Sequence, residues 1–275
     1  MPPRRLVAIL AGLAVLAGCR GSEPSEPAPT PSPTAALPQL PQAEPPLDRR
    51  ALLLAVGQAA SDFALGRDDL ERQRRLHGRR FEVALRFGCE GDESASRQWT
   101  FDERTRVLRL NVDPDVTART PAVAALGFEE FEAVEGFWIR QPWLLEAGCP
   151  ARPAPPAAAD EEEEGETGDE PPEPSAEPAP YIGLAHFFTA QDSRTQRREG
   201  RGYRATVRLG PDEAPSASGY VLVLSGRFDR LPDGRAIACT PSGGGGPPAC
   251  IVSVTFDHVR LRRPDGVQLA EWSRG

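Results

Sequence analysis

Two stretches of biased composition decide how much of this chain can fold. From Arg20 to Leu47 it is built mainly of Pro, Ala, Ser, Thr and Glu, with prolines recurring from Pro24 to Pro46. Such a segment holds too little apolar side chain to offset the entropy of ordering it. Its prolines stiffen it toward extended polyproline II at about 3.1 Å per residue, so residues 19–47 read as a spacer. The second stretch, Ala151 to Pro180, concentrates its carboxylates between Asp160 and Glu177 with no basic residue among them. Like charges at that density repel and keep the chain open. The glycine-punctuated acidic pattern of a calcium loop is missing, so 151–180 is expected to be a solvated insertion. What remains, 48–150 and 181–275, is enough for one substantial core or two small ones. The expectation is one domain in two halves.

The first eighteen residues have a positive head at Arg4 and Arg5, an apolar run from Leu6 to Leu16, and small residues Ala17 and Gly18. That is the build of a secretory signal, and the run is too short to cross a hydrocarbon core that needs about 20 residues. Leu16-Ala17-Gly18-Cys19 resembles the lipobox of bacterial lipoproteins. The resemblance implies cleavage before Cys19, a diacylglyceryl group on its sulfur and a further acyl chain such as palmitate on its amine. Two or more chains anchor stably where one does not. Arg20 stands where an Asp resembles an inner-membrane retention signal, so the outer membrane, periplasmic face, is the expected location.

Removing the signal and the acidic segment leaves the rest of the chain close to neutral, so no basic field points to nucleic acid as a partner. All 32 basic residues are Arg. Planar guanidinium suits phosphate and carboxylate, and clusters occur at Arg72, Arg74, Arg75, Arg79 and Arg80, and at Arg194, Arg197, Arg198, Arg201 and Arg204. The chain is equally rich in Ala, Gly and Pro, and GC-rich codons explain the arginines as well as anion binding does.

Asp48 is a plausible N-cap for an amphipathic helix to Leu65, with Leu53, Val56, Ala60 and Phe63 at helical spacing. A second short, polar helical turn is expected between Asp68 and His77. Period-two alternation then takes over at Phe81, Val83, Leu85 and Phe87. Strands are also expected at 97–101, 106–112, 133–145, 203–209, 219–228, 235–239, 250–261 and 267–272. Two Pro-Asp-Gly sequences, 232–234 and 264–266, suit tight reversal. The fold class expected is mainly β: an antiparallel sandwich or barrel-like meander with an N-terminal amphipathic helix.

Export puts Cys89, Cys149, Cys239 and Cys250 in an oxidising compartment, where an even count reads as two disulfides with three pairings open. Cys239 and Cys250 flank a Gly- and Pro-rich loop between strands, leaving Cys89 with Cys149. Zinc usually takes close pairs such as Cys-x-x-Cys, and the sequence has none.

Signatures of catalysis are missing as well. His77, His186 and His258 form no His-Glu-x-x-His array, there is no Gly-x-Ser-x-Gly elbow, and the glycines at 243–246 lack the Lys-Ser/Thr of a phosphate loop. No catalytic residue, metal ligand or cofactor is assigned. Candidate ligand contacts are His186, set beside Phe187, Phe188 and Asp192, together with Trp138 and Trp143; these two, with Trp99 and Trp272, offer faces that could stack on sugars of peptidoglycan or lipopolysaccharide, although Trp in strands is more often core. The expected role is binding or assembly of an envelope lipid, glycan or protein, in a pocket suited to an apolar or amphipathic molecule. The alternative is a periplasmic or extracellular hydrolase using strand-end carboxylates among Asp102, Glu103, Asp113 and Asp115.

Overall fold

In the computed structural model, residues 44–89, 94–149, 181–242 and 246–274 are described. Cys19, the signal segment, nearly all of the spacer, the acidic insertion and three of the four loop glycines lie outside them. Helix α1 spans Arg49–Ala64 and starts where expected, because the Asp48 side chain accepts the Ala51 N–H at 2.8 Å. It buries Leu52, Leu53, Val56 and Ala59. The folded region begins slightly before Asp48: Leu47 is buried and bridges to Phe81. Helix α2, Leu70–Leu76, is capped by Asp69, and a single turn, α3, covers Pro121–Ala124.

Eleven strands follow among the described residues: β1 (Arg80–Phe87), β2 (Arg97–Asp102), β3 (Val107–Val112), β4 (Val116–Thr117), β5 (Phe131–Trp138), β6 (Ile182–Thr189), β7 (Tyr203–Arg208), β8 (Tyr220–Phe228), β9 (Ile237–Thr240), β10 (Ala249–Arg262) and β11 (Gln268–Ser273). Strands β2, β3 and β7 make an antiparallel three-stranded sheet, and the other eight form one mixed sheet. The chain is mainly β, in two sheets of a sandwich. Both halves contribute to each sheet, and Ala43–Gly275 is one compact unit.

Strand β10 is the spine. Its first residues pair with β9 on one edge and, in parallel, with β6 on the other; its later residues pair with β8 and β11. At the crossover Ser253 donates to the Ala236 carbonyl and accepts from the Asp229 N–H, so β8 and β9 lie end to end along the same edge. The Pro232-Asp233-Gly234 turn is therefore not the meander hairpin expected. It is the tip of an excursion between two collinear strand segments, closed by the Gly234 N–H to Leu231 O at 2.8 Å with Gly234 at φ 85°. The second such turn does close a hairpin, β10 to β11.

Two further differences have physical causes. Strand β6 shows no apolar/polar alternation because both its faces are covered: Ile182 and Leu184 join the main core, while Ala185 and Phe187 join a second cluster beneath α3. The strand expected over 133–145 ends at Trp138, and residues 140–145 turn instead around Arg49. That buried side chain donates to the carbonyls of Leu144, Arg140 and Gln141, and burial first, Arg97 second, pull its pKa down to about 10.

Cys89 is bonded to Cys149 and Cys239 to Cys250. The latter two face each other in the β9/β10 register.

Candidate functional site

The register of β10 against β8 slips between Phe256 and His258. Such bulges re-aim side chains and recur beside functional sites. Here the bulge opens onto a cavity of about 170 Å³, walled by β5 and β6, by the start of β7, by the end of β11, and by the loop 194–201. A continuous chain of ring contacts lines it. Trp272 meets Tyr203 with centroids 5.2 Å apart, Tyr203 meets Phe137 at 5.9 Å, and Phe137 meets Phe256 at 6.0 Å. Phe256 then meets His186 at 6.4 Å, and His186 stacks on Phe188 at 4.0 Å.

The His186 residue is 6% exposed; its ring makes no hydrogen bond to a described residue, and its nitrogens are not among the buried atoms cut off from every partner. Burial, then the Arg274 cation, lower its pKa to about 4 against the weaker pull of Asp192 and Asp229, so the imidazole is neutral at pH 7. Tyr203 is buried too, and desolvation pushes its phenol up to about 12 although the Arg198 guanidinium lies 4.2 Å from its ring centroid.

Arginines form the rim. Arg197 is buried and spent structurally: one guanidinium nitrogen donates to Glu132 and another to the Thr189 carbonyl, both at 2.6 Å. Arg198 and Arg201 bond reciprocally, each Nε donating to the other's carbonyl, and Arg198 Nη2 donates to Gly202 O. Arg274 donates through Nε and Nη2 to Gln196 and lies 3.6 Å from Asp192. The lining carboxylates are occupied elsewhere: Glu135 accepts from the backbone N–H groups of Arg198 and Glu199, and Asp257 accepts from Arg227.

Of the three ligand-contact candidates, only His186 lines this cavity. Trp138 packs against the second cluster, and Trp143 is exposed in the loop after β5. The cavity also differs from the apolar pocket expected for an envelope molecule. Its rim is cationic, and its volume falls below the about 300 Å³ at which drug-sized pockets begin. The strand-end carboxylates serve local structure: Asp102 caps the β2–β3 turn at the Thr105 N–H, Asp113 accepts from Asn111, and Asp115 accepts from Ser96, from the Trp138 N–H and from buried Arg97. Glu103 is exposed in the same turn. Among the described residues no three His, Cys, Asp or Glu groups are placed to hold a metal ion, and no helix is long and apolar enough to cross a membrane.

Tyr203 and Arg274 were missed as site residues, because nothing local marks them, whereas Trp272, one of the four tryptophans weighed as sugar platforms, does line the cavity. The arginine cluster at 194–204 was the one available signal: Arg197, Arg198 and Arg201 reach the cavity, whereas the cluster around α2 pairs with Asp62, Asp69, Glu71 and Glu44. No protein-family model, curated protein or solved structure matches this chain.

Proposed function

We propose that this protein is a lipid-anchored component of the bacterial cell envelope, held at the periplasmic face of the outer membrane through acylated Cys19, and that it binds another envelope component in the cavity at the β10 bulge. Binding rather than catalysis is favoured by one observation above all. A neutral imidazole, nine-tenths buried, lines the cavity without a hydrogen-bonded partner beneath a rim of guanidinium groups. Its ring nitrogens are not among the buried atoms cut off from any partner, so they keep access to the cavity, where a bound ligand can supply the hydrogen-bond partner that the protein does not. The Leu16-Ala17-Gly18-Cys19 motif and the proline-rich spacer behind it support the anchor.

The two parts are tested separately. Labelled palmitate should enter the wild-type chain and be missing from Cys19→Ser, which should also leave the membrane fraction; a labelled, membrane-bound variant rejects the anchor. For the cavity, native mass spectrometry of the full chain released from membranes should show a stoichiometric adduct. Thr195→Trp, which adds bulk at an exposed position of the lining without removing a charge, should abolish it. An adduct that survives this variant places binding elsewhere, and no adduct in the wild type rejects the binding role.

A further inference from the structure

Two guanidinium groups of the cavity lining are left without an ion-pair partner among the described residues, and this inference rests on the binding role proposed above. Arg197 is matched by Glu132 and Arg274 by Asp192. Among the described residues neither Arg198 nor Arg201 has a carboxylate within ion-pair distance, although Glu135 is close by. Glu135 is turned to the backbone amides of Arg198 and Glu199, so its charge holds the loop in place while the guanidinium heads remain available. The hydrogen bonds of these side chains use Nε and one Nη of Arg198, Nε of Arg201, and Nε and one Nη of Arg274. Nη1 of Arg198, both Nη atoms of Arg201 and Nη1 of Arg274 carry N–H groups that no described residue accepts. Paired planar donors of this kind suit carboxylate or phosphate oxygens.

Below the rim the chemistry changes. The six linked rings from Trp272 to Phe188 offer flat apolar faces, and the uncharged His186 can donate or accept a hydrogen bond. The volume, about 170 Å³, is below the about 300 Å³ of drug-sized pockets and suits one small ring. An anion at the mouth and a hydroxylated ring over the aromatic floor would satisfy both zones.

We infer that the cavity binds an anionic sugar, a single pyranose ring carrying a carboxylate or a phosphate, with the charged group between Arg198, Arg201 and Arg274 and the ring toward His186 and Trp272. The same chemistry is available from acidic glycans and from phosphorylated glycolipid head groups, so both forms of anion belong in the test.

Full-length protein in detergent is titrated with glucuronate, glucose 6-phosphate, glucose and inorganic phosphate by calorimetry, with tryptophan fluorescence followed in parallel. Glucuronate or glucose 6-phosphate, or both, should bind; whichever binds names the source. Glucose and inorganic phosphate should each bind about tenfold or more weakly, the loss expected when one charge-assisted hydrogen bond or the ring contact is missing. Arg201→Gln should weaken the anionic sugar by a similar factor at an unchanged melting temperature, and Arg201→Lys should restore part of it. Glucose binding as well as the anionic sugars overturns the anion seat, and phosphate binding as well as glucose 6-phosphate overturns the ring. Failure of all four probes overturns the ligand class. A neutral adduct in the membrane-derived protein, lost in Thr195→Trp, would sink this inference while leaving the binding role intact.

Discussion

Burying His186 without a hydrogen-bonded partner costs the fold stability in acid, because the unfolded chain takes up this proton at higher pH than the native one does. The folded pKa is about 4 and the ordinary value 6.5. Above 6.5 both states are neutral and nothing changes. Between 6.5 and 4 the unfolded state carries the extra proton, so stability falls by about 1.4 kcal/mol per pH unit as pH drops. Carboxylates with lowered pKa, Asp62, Asp102 and Asp192, act beneath that window, since their contribution is complete above 3.8 and lost only further down. Burial first and Arg274 second pull the midpoint down, and Asp192 and Asp229 pull it back up. Urea unfolding at pH 7 and pH 5 should show a loss of about 2 kcal/mol in wild type and a clearly smaller one in His186→Phe. Equal losses in the two proteins would show that the imidazole is not held neutral.

Strands differ in how openly they declare themselves. β1 alternates Phe81, Val83, Leu85 and Phe87 with outward residues, since only one of its faces enters the core, and period-two reading finds it directly. β6, with core on both sides, is a plain apolar run interrupted by His186, which gives no alternation to detect. The Pro232-Asp233-Gly234 turn was legible as a turn, but a short motif does not say whether the strands it joins pair with each other or continue along a third. Close packing of β5 on β6 leaves a mark in Gly136, between the cavity residues Glu135 and Phe137. A Cβ there would come within 2.8 Å of Ala185 Cα and closer still to the Leu184 carbonyl oxygen. Backbone atoms cannot yield as a flexible side chain does, so Gly136→Ala should cost about 1–3 kcal/mol through overpacking and lower the melting temperature by several degrees. A neutral substitution would mean that β5 and β6 can separate without loss, and that the cavity wall is softer than described.

The cavity draws on residues from Pro114 to Arg274, brought together by a spine strand that pairs with four others. This is why the architecture was broadly readable from patterning while the site was not: strand patterns are local, and the site is a meeting of strand ends. The disulfides act on the same long-range problem, in different ways. Cys89–Cys149 spans 60 positions and ties the end of β1 to the loop after β5, whereas Cys239–Cys250 spans 11 and staples a register already fixed by the β9/β10 pairing. If their contribution comes from restricting the unfolded chain, the long closure is worth about 4 kcal/mol and the short one about 3. The double variant Cys89→Ser, Cys149→Ser should then be the less stable of the two in chemical denaturation, with an increased m-value as its unfolded state opens. The other pair acts through the crossover itself. Losing it frees the point where β9 and β6 flank β10, close to the strand that supplies His186, so Cys239→Ser, Cys250→Ser should disturb ligand binding more than Cys89→Ser, Cys149→Ser does. If stability and binding fall in the same order across the two variants, loop closure and site geometry are not separable here, and the staple's separate role in the β10 crossover is refuted.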